Sequence, residues 1–543
     1  MKNQIALLLA SLLLISSCTG ENAMRDAAST ITADELREYT KTLGDDSFMG
    51  RKPFTAGETV TVNYLAEKLQ EIGFEPVFGD DWFQEVPMVE IATSVTGPVI
   101  ITAGMSKLEL AAPDQIAIES PARQEKVELK DIPMVFCGFG IVAPEYGWND
   151  YAGVDVKGKC VVVLVNDPGL YTGDTALFKG RTMTYYGRWT YKYDEAARQG
   201  AAAILIIHET VGAGYDYSIP RKSSITSSLY MELKEGAANP CLVTGWLQAD
   251  AADTLFGSLG HKVEQLRSDA CLKGYTGFDM GASITVSALN TLKKNISVNV
   301  AGILKGRTRP EESVIITAHW DHFGIGETEN GDSIYNGAVD NGTTMAWALE
   351  MGEAFASLKK RPERSVIIMF PTAEEQGLLG SAYFTANPPL PAESIVACFN
   401  NDMMLPIGRM KDMMVTGYGQ SELDDMLADA VEKQDRYVLP DPAPETGMYF
   451  RSDHFPFALI GVPSLFARGN CDSRENGLEW AAAREQEYLK EMYHKPADNY
   501  YPEMNFEGIR EDAAAVFDVA WRIADSDVRP SWKKGSEFAG IRK

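Results

Sequence analysis

The chain has 543 residues, of which 45% are hydrophobic and 23% are charged, which indicates a globular protein of two or three domains. Acidic side chains outnumber basic ones by 76 to 50, and the net charge of −26 would repel a phosphate backbone over most of the surface. Because the sequence also has no Gly-rich phosphate loop, we expect no nucleic acid as a partner.

An export signal is predicted in residues 1–18. Lys2 precedes an apolar run from Ile5 to Ile15, followed by small residues. This is the pattern of a secretory signal and is too short for a membrane span. The segment ending at Cys18 resembles a bacterial lipobox, so Cys18 is expected to become the lipid-bearing first residue. The protein would then be exported and held on the bacterial cell envelope only through this lipid anchor. The alternative is an ordinary signal peptide with an incidental cysteine.

Helical patterns dominate residues 24–90, which we assign to the N-terminal part of the main domain. The apolar spacing of Val62–Ile72 predicts a helix that ends at Gly73. Short β-like runs then follow in residues 91–284, and we expect an inserted, β-rich domain there. The predicted strands of this domain are residues 99–102, 133–136, 160–165 and 201–207. A helix is predicted at residues 193–200, directly before the last of these strands.

Strands and helices alternate in residues 285–543, the main part of the same domain. The predicted strands are Ile296–Leu304, Ser313–Thr317, Ser365–Phe370 and Ile395–Phe399. The predicted helices are Thr343–Leu358, Leu378–Phe384, Leu423–Gln434 and Ile509–Ala524. This alternation predicts an α/β fold with a mixed, mostly parallel central sheet and helices on both faces.

Six cysteines beyond Cys18 are scattered along the chain, and none forms a CxxC pair. A cysteine zinc site is therefore not expected, and buried free thiols are the predicted state for most of them. A Cys241–Cys271 disulfide is the alternative that an exported chain allows.

Polar side chains follow three of the predicted strands at their carboxyl ends. His319, Asp321 and His322 come after the second strand, Glu374 and Glu375 after the third, and Asp402 after the fourth. Asp340 and His494 lie in two further polar segments. In a mostly parallel sheet, ligands collect at the carboxyl ends of the strands. Imidazole and carboxylate ligands without thiolate suit catalytic zinc, and two such ions can share one carboxylate.

The order His-x-Asp, Asp-Asn-Gly, Glu-Glu, Asp and His resembles the co-catalytic zinc aminopeptidase family of clan MH, which includes glutamate carboxypeptidase II. Two further segments resemble that family: Met49-Gly-Arg51-Lys-Pro53 near the N-terminus, and Arg451-Ser-Asp-His454 with Gly461-Val-Pro-Ser near the C-terminus. The resemblance covers about residues 30–90 and 290–525. Residues 91–284 resemble a protease-associated domain, which several members of the family carry at this position.

The resemblance implies a role for each of these residues. One zinc ion would be held by His319, Asp340 and Asp402, and a second by Asp340, Glu375 and His494. Asp340 would bridge the two ions, and manganese or cobalt could replace zinc. Asp321 would orient His319. Glu374 would be the general base that takes a proton from a metal-bound water and passes it to the leaving amine.

Several other residues have no role fixed by the motifs. His454, Arg451 and Tyr449 are candidates for substrate binding, with loop ordering, a surface salt bridge and aromatic packing as the respective alternatives. Arg451 and Arg468 would suit a substrate carboxylate, with a surface salt bridge as the alternative for both. For His322, we expect a structural or solvent-facing role.

The predicted function is that of an exported zinc exopeptidase that acts on peptides. An aminopeptidase is favoured over the alternatives. Those alternatives are a carboxypeptidase or dipeptidase with the same two metals, and a glutaminyl-cyclase-like acyltransferase with one metal. A related di-zinc family with a dimerisation insert is disfavoured, because the stretch between Asp402 and His494 leaves little room for another domain. The non-enzyme alternative is a receptor-like binding lipoprotein, which should lack ligands or the base.

Overall fold

The computed structural model describes residues 22–233 and 239–542. The predicted export signal, residues 1–18 with Cys18, lies outside the described residues. Across these two described ranges, no helix combines the length and the apolar character that crossing a membrane requires.

The chain divides into two compact units. The first unit holds the chain up to Val86, then Ile296–Asp441, and then everything from Arg451 onward. The second unit holds Pro87–Asn295 and Pro442–Phe450, so the predicted insert of residues 91–284 lies within it. Its identity as a protease-associated domain stays a prediction.

The strands are numbered here in chain order. They are β1 (Glu75–Pro76), β2 (Phe83–Val95), β3 (Val99–Ala103), β4 (Ser106–Leu110), β5 (Ile116–Glu119), β6 (Lys126–Phe136), β7 (Val142–Ala143), β8 (Trp148–Asn149), β9 (Cys160–Leu164), β10 (Ala203–Ile207), β11 (Ser227–Met231), β12 (Val243–Leu247), β13 (Phe278–Leu304), β14 (Arg309–Thr317), β15 (Gly324–Glu329), β16 (Asp332–Tyr335), β17 (Arg364–Phe370), β18 (Ile395–Asn400), β19 (Asp412–Val415), β20 (Tyr437–Pro440) and β21 (Ser464–Arg468).

The α-helices are numbered in the same way. They are α1 (Ala33–Leu43), α2 (Ala56–Ile72), α3 (Pro168–Thr172), α4 (Trp189–Arg198), α5 (Thr210–Ala213), α6 (Ser218–Ser223), α7 (Ala249–Ser258), α8 (Val263–Ala270), α9 (Thr344–Ser357), α10 (Leu379–Ala386), α11 (Leu423–Glu432), α12 (His454–Leu459), α13 (Gly477–Glu491) and α14 (Glu507–Ala524).

The first unit is built on a mixed sheet. Strand β14 pairs in parallel with β17 on one side and with β18 on the other, and β18 pairs in parallel with β21. The end of β13 is antiparallel to β17, while β19 is antiparallel to β21 and parallel to β20. The predicted α/β fold with a mostly parallel central sheet is therefore confirmed.

Both faces of this sheet are buried, because alternate residues of each central strand enter different apolar clusters. Val314 and Ile316 of β14 pack into the cluster that contains α9 and α14, whereas Ile315 packs into the cluster that contains Phe384 of α10 and Phe457 of α12. Strand β17 shows the same alternation. Helices therefore cover both faces of the sheet. Polar functional side chains can then be expected at the ends of the strands, where the sheet is not covered.

In the second unit, strands β6, β9, β10 and β12 run parallel, and β5 adds an antiparallel strand. All residues of β9 and β10 are buried, as expected for parallel strands covered on both faces.

The described cysteines, Cys137, Cys160, Cys241, Cys271, Cys398 and Cys471, are all free thiols. The Cys241–Cys271 disulfide considered from the sequence is therefore not formed. Buried free thiols, the state predicted for most of the six, are found at four positions, and Cys271 and Cys471 are partly exposed.

Candidate functional site

Three parallel strands of the first unit end at the same edge and bring the polar segments together. Thr317, at the end of β14, is in register with Met369 of β17 and with Asn400 of β18. His319, Glu374 and Asp402 follow these strand ends within a few residues. The sequence pattern therefore becomes one cluster in space because parallel strands share their carboxyl edge.

His319 forms the centre of a first group of ligands. Its Nε2 atom lies 3.4 Å from Oδ1 of Asp340 and 3.3 Å from Oδ1 of Asp402. Its Nδ1 atom lies 3.1 Å from the backbone carbonyl oxygen of Asp321, which suits a tautomer with the proton on Nδ1. In that tautomer the lone pair of Nε2 faces the two carboxylates.

His494 forms the centre of a second group of ligands on the other side of Asp340. Its Nε2 atom lies 3.3 Å from Oδ2 of Asp340 and 3.3 Å from Oε2 of Glu375. The ring of His494 stacks on Tyr493, with the ring centres 3.7 Å apart. The two oxygens of Asp340 therefore face two different histidines.

These distances pass a test for zinc. Zinc–nitrogen and zinc–oxygen bonds are about 2.0–2.2 Å long, so two ligand atoms on one tetrahedral ion lie about 3.3–3.5 Å apart. The four contacts just given, at 3.3–3.4 Å, match that spacing. Asp340 Oδ1 and His494 Nε2 are also buried without a hydrogen-bond partner, which is costly unless something else binds them. The residues present therefore fit zinc, with one group of candidate ligands around His319 and a second around His494.

The segment that presents Asp340 is held from two sides. The carboxylate of Asp498 accepts hydrogen bonds from the backbone N–H groups of Val339 and Asp340, each at 3.0 Å, and from the hydroxyl of Tyr488 at 3.0 Å. On the other side the guanidinium of Arg51 donates to backbone carbonyl oxygens of the same segment, those of Asn336, Gly337 and Asp340. The position of the Asp340 carboxylate is therefore fixed by residues far apart in the sequence.

Glu374 lies beside the first group of ligands. Its Oε2 atom is 3.8 Å from Nε2 of His319, and its backbone N–H donates to Oδ1 of Asp321 at 2.9 Å. Burial raises the pKa of Glu374 well above its usual value; the charge of His319 opposes this rise, and the charges of Asp402 and Glu375 add to it. A carboxylate with a raised pKa suits a group that accepts and returns a proton.

Asp321 contacts Glu374 more closely than it contacts the ring of His319. The Asp321 carboxylate is 3.8 Å from Nδ1 of His319, whereas the backbone carbonyl of the same residue is at 3.1 Å. Burial raises the pKa of Asp321 to about 7. The structure thus places Asp321 where its backbone orients His319 and its side chain holds the Glu374 backbone.

The remaining candidates lie in different surroundings. His454 is fully buried at the start of α12, with its ring 5.2 Å from that of Phe466. Arg451 is partly exposed three residues earlier, and Tyr449 is part of the second unit. Their substrate-binding roles stay predictions. Arg468 is buried and donates to the backbone carbonyl of Asp402 at 2.8 Å, so it does not form the surface salt bridge considered from the sequence.

Sequence reasoning assigned no part in this site to Arg51 and Asp498, and for His322 it left a structural and a solvent-facing role open. His322 is buried rather than solvent-facing, and its Nδ1 atom is 2.7 Å from Oε1 of Glu375. Arg51 lies inside the Met49–Pro53 segment named above, and Asp498 comes four residues after His494. Their partners are mostly backbone groups, which leave no pattern in a sequence. The adjacency of His322 to the His-x-Asp motif was the one available signal.

Comparison with known proteins places the site in one family. Residues 299–517 match Peptidase family M28. Aminopeptidase NAALADL1 from Rattus norvegicus and from Mus musculus is 37% identical over 112 residues, which cover 20% of this chain and 14% of each relative. A probable zinc metalloprotease from Pyricularia oryzae is 28% identical over 106 residues, 20% of each chain. The chain thus matches only a small part of the length of these curated relatives.

Solved structures give matches along most of the chain at low identity. An aminopeptidase from Aneurinibacillus sp. strain AM-1 has a TM-score of 0.47 and 18% identity, covering 93% of this chain and 97% of that one. BSAP, a zinc aminopeptidase from Bacillus subtilis, has a TM-score of 0.42 and 17% identity, covering 94% and 99%. The match that defines the family is the one to residues 299–517. This stretch, which contains all five predicted metal ligands, matches Peptidase family M28, and the predicted resemblance to the co-catalytic zinc aminopeptidase family is confirmed.

Proposed function

We propose that the protein is a zinc-dependent exopeptidase with two zinc ions per chain, and that it acts as an aminopeptidase on the N-terminal residues of peptides. The observation that carries this proposal is the arrangement around Asp340, whose two carboxylate oxygens each lie 3.3–3.4 Å from a different histidine. Asp402 and Glu375 complete the two groups at 3.3 Å. A protein that had kept the fold and lost catalysis would have no reason to keep both groups and Glu374.

Zinc ions bound by these residues would act as Lewis acids that polarise the scissile carbonyl and acidify a water molecule. The residues of the chain have separate tasks around that chemistry. Glu374 accepts the proton of the attacking water and delivers it to the amine that leaves. The backbone of Asp321 keeps the proton of His319 on Nδ1, so that Nε2 remains a ligand. The Asp498 and Arg51 contacts keep Asp340 between the two histidines.

The direction of attack is supported by the name of a curated relative, aminopeptidase NAALADL1. Two ions are supported over one by the completeness of the second group, Asp340, Glu375 and His494, since a single-metal acyltransferase would need only one group.

The proposal is tested with a glutamine variant at each of two adjacent positions. Glu374→Gln removes the base and no ligand, so zinc content should stay at two per chain while kcat on aminoacyl p-nitroanilides falls by about 10²–10⁴-fold. Glu375→Gln removes a ligand, so zinc content should fall as well. Glu479→Gln, on the exposed face of α13, is the matched control for glutamate loss. Zinc is counted by elemental analysis after removal of free metal.

Near wild-type activity in Glu374→Gln would contradict the assigned base. The chain end attacked is read from a peptide set in which either the amino or the carboxyl terminus is blocked. Cleavage of the amino-blocked peptides only would replace the aminopeptidase by a carboxypeptidase.

A further inference from the structure

His322 is a buried histidine that the roles assigned above do not use. It lies three residues after His319, with 2% of its surface exposed. Its backbone N–H donates to the carbonyl oxygen of Arg51 at 3.2 Å. The ring is confined by Gly337, where a Cβ atom would approach Cδ2 of His322 to 2.6 Å. The imidazole is therefore held in one place, and that place is beside Glu375.

The contact with Glu375 divides the two oxygens of that carboxylate between two partners. Oε1 lies 2.7 Å from Nδ1 of His322, and Oε2 lies 3.3 Å from Nε2 of His494. A short contact of 2.7 Å to a carboxylate is the length of a charge-assisted hydrogen bond. With Oε1 engaged in this way, the oxygen that remains for a cation is Oε2.

His322 also meets the geometric condition for a metal ligand, because its ring nitrogen and oxygens of Asp340 and Glu375 lie within 4.8 Å of one another. The separation of Nδ1 and Oε1 decides against that role. Two ligands of one tetrahedral zinc ion lie about 3.3–3.5 Å apart, as the contacts of His319 and His494 do. At 2.7 Å, the two atoms share a proton rather than an ion.

We propose that His322 is a positioning residue for the second zinc ion: it donates its Nδ1 proton to Oε1 of Glu375 and so turns Oε2 toward Asp340 and His494. This inference rests on the proposed function, because it needs a metal at that position. Carboxylates that bind metals are themselves commonly held by hydrogen bonds from neighbouring residues, and loss of such a bond typically lowers metal affinity by about 10–100-fold.

The test measures zinc affinity by competition with a chromophoric chelator, so that it does not depend on activity. His322→Ala should bind one of the two zinc equivalents about 10–100-fold more weakly and the other as in the wild type. His322→Asn should restore the affinity, because its side-chain amide N–H occupies roughly the place of Nδ1–H. His261→Ala, at an exposed histidine of the second unit, is the control and should leave both affinities unchanged.

The visible absorption of the cobalt-substituted protein gives a second readout. His322→Ala should change the spectrum of one site, and His322→Asn should return it toward that of the wild type. Two wild-type affinities in His322→Ala would overturn the inference. Equal weakening in His322→Ala and His322→Asn, with folding intact by circular dichroism, would overturn it in favour of direct ligation by His322. A wild-type protein that takes up no zinc would instead overturn the proposed function.

Discussion

Arg51 is a buried cation whose hydrogen-bond acceptors are backbone carbonyl oxygens. Nε donates to Trp320 at 3.0 Å, Nη1 to Leu43 at 2.8 Å, and Nη2 to Gly337 at 2.9 Å, and the carbonyls of Asn336 and Asp340 complete the set. Burial lowers the pKa of Arg51 to about 10, against the charges of Asp340 and Asp498, so the group is charged at neutral pH. The guanidinium of Arg51 thus links the segment that carries Asp340 to the end of helix α1.

Arg51→Lys should lower the free energy of unfolding although the charge is kept. An ammonium group has three donors around one point and cannot reach carbonyls spread around a planar guanidinium. Each carbonyl left buried without a donor costs about 1–3 kcal/mol. Urea denaturation of the metal-free protein measures the change, and Arg361→Lys, at an exposed arginine of the same unit, should stay within about 0.5 kcal/mol of the wild type. Equal stabilities of the two variants would contradict this account of Arg51.

At the scale of residues, the candidate metal ligands were predictable from the sequence. The residues that hold those ligands in position were not. His319, Glu375 and Asp402 follow predicted strand ends, and Asp340 and His494 lie in two further polar segments whose order matched the family resemblance. The structure brings the five together. His322, Arg51 and Asp498 act through hydrogen bonds whose partners are mostly backbone groups or lie far away in the sequence. Such contacts depend on the rotamer and the path of the loop, which a pattern of residue types does not contain.

Helices α1 and α9 meet through a group of glutamates instead of an apolar contact alone. Glu350 of α9 is fully buried, and its Oε2 accepts from the backbone N–H of Thr32 at 2.7 Å. Glu353 accepts from the hydroxyl of Tyr39 at 2.5 Å. Burial raises the pKa of Glu350 to about 8; the Thr32 bond opposes this rise, and the charges of Glu353 and Glu35 add to it. At neutral pH this carboxyl therefore keeps its proton in the folded state.

Protonated Glu350 should make stability fall as pH rises from about 4.5 to 8. In this window the folded protein binds a proton at Glu350 that the unfolded chain has released, so the free energy of unfolding drops by at most about 1.4 kcal/mol per pH unit. Glu350→Gln removes this slope and should be the more stable protein at pH 8. Denaturation of both proteins at pH 5 and pH 8 measures the difference, with Glu67→Gln, at an exposed glutamate of α2, as the control. A constant difference across pH would refute the raised pKa.

Strands of the first unit were predictable because both faces of the sheet are covered. The runs 313–317, 365–370 and 395–399 are continuous and apolar, and the structure has β14, β17 and β18 there. Strand β13 was found only in its last residues. It runs from Phe278 to Leu304. In its earlier part buried residues alternate with more exposed ones, so the sequence has no continuous apolar run there, and the predicted strand started only at Ile296. Helix α13 was missed because few of its residues are buried.

For the molecule as a whole, the proposed metals would join distant parts of the chain that no disulfide holds together in the described residues. The five ligands come from residues 319 to 494, all within the first unit, and the described cysteines form no disulfide. The side chains of Asp340, Glu374 and Glu375 are at most 9% exposed and lie close together. His319, His322, His494 and the guanidinium of Arg51 lie near enough to offset part of their mutual repulsion. Cations bound there would stabilise the folded state directly.

Zinc should therefore raise the unfolding temperature of the first unit. An ion that binds only the folded chain stabilises it by about 2.7 kcal/mol at a free concentration 100 times its dissociation constant, and the unfolded chain has the ligands far apart. In calorimetry, chelation should lower the unfolding temperature, and zinc should restore it. Magnesium should restore little, because it prefers oxygen ligands in octahedral geometry. Glu374→Gln should keep the full shift and His494→Ala only part of it, because His494 is a proposed ligand and Glu374 is not. Equal unfolding temperatures with and without zinc would mean that the cluster binds no zinc.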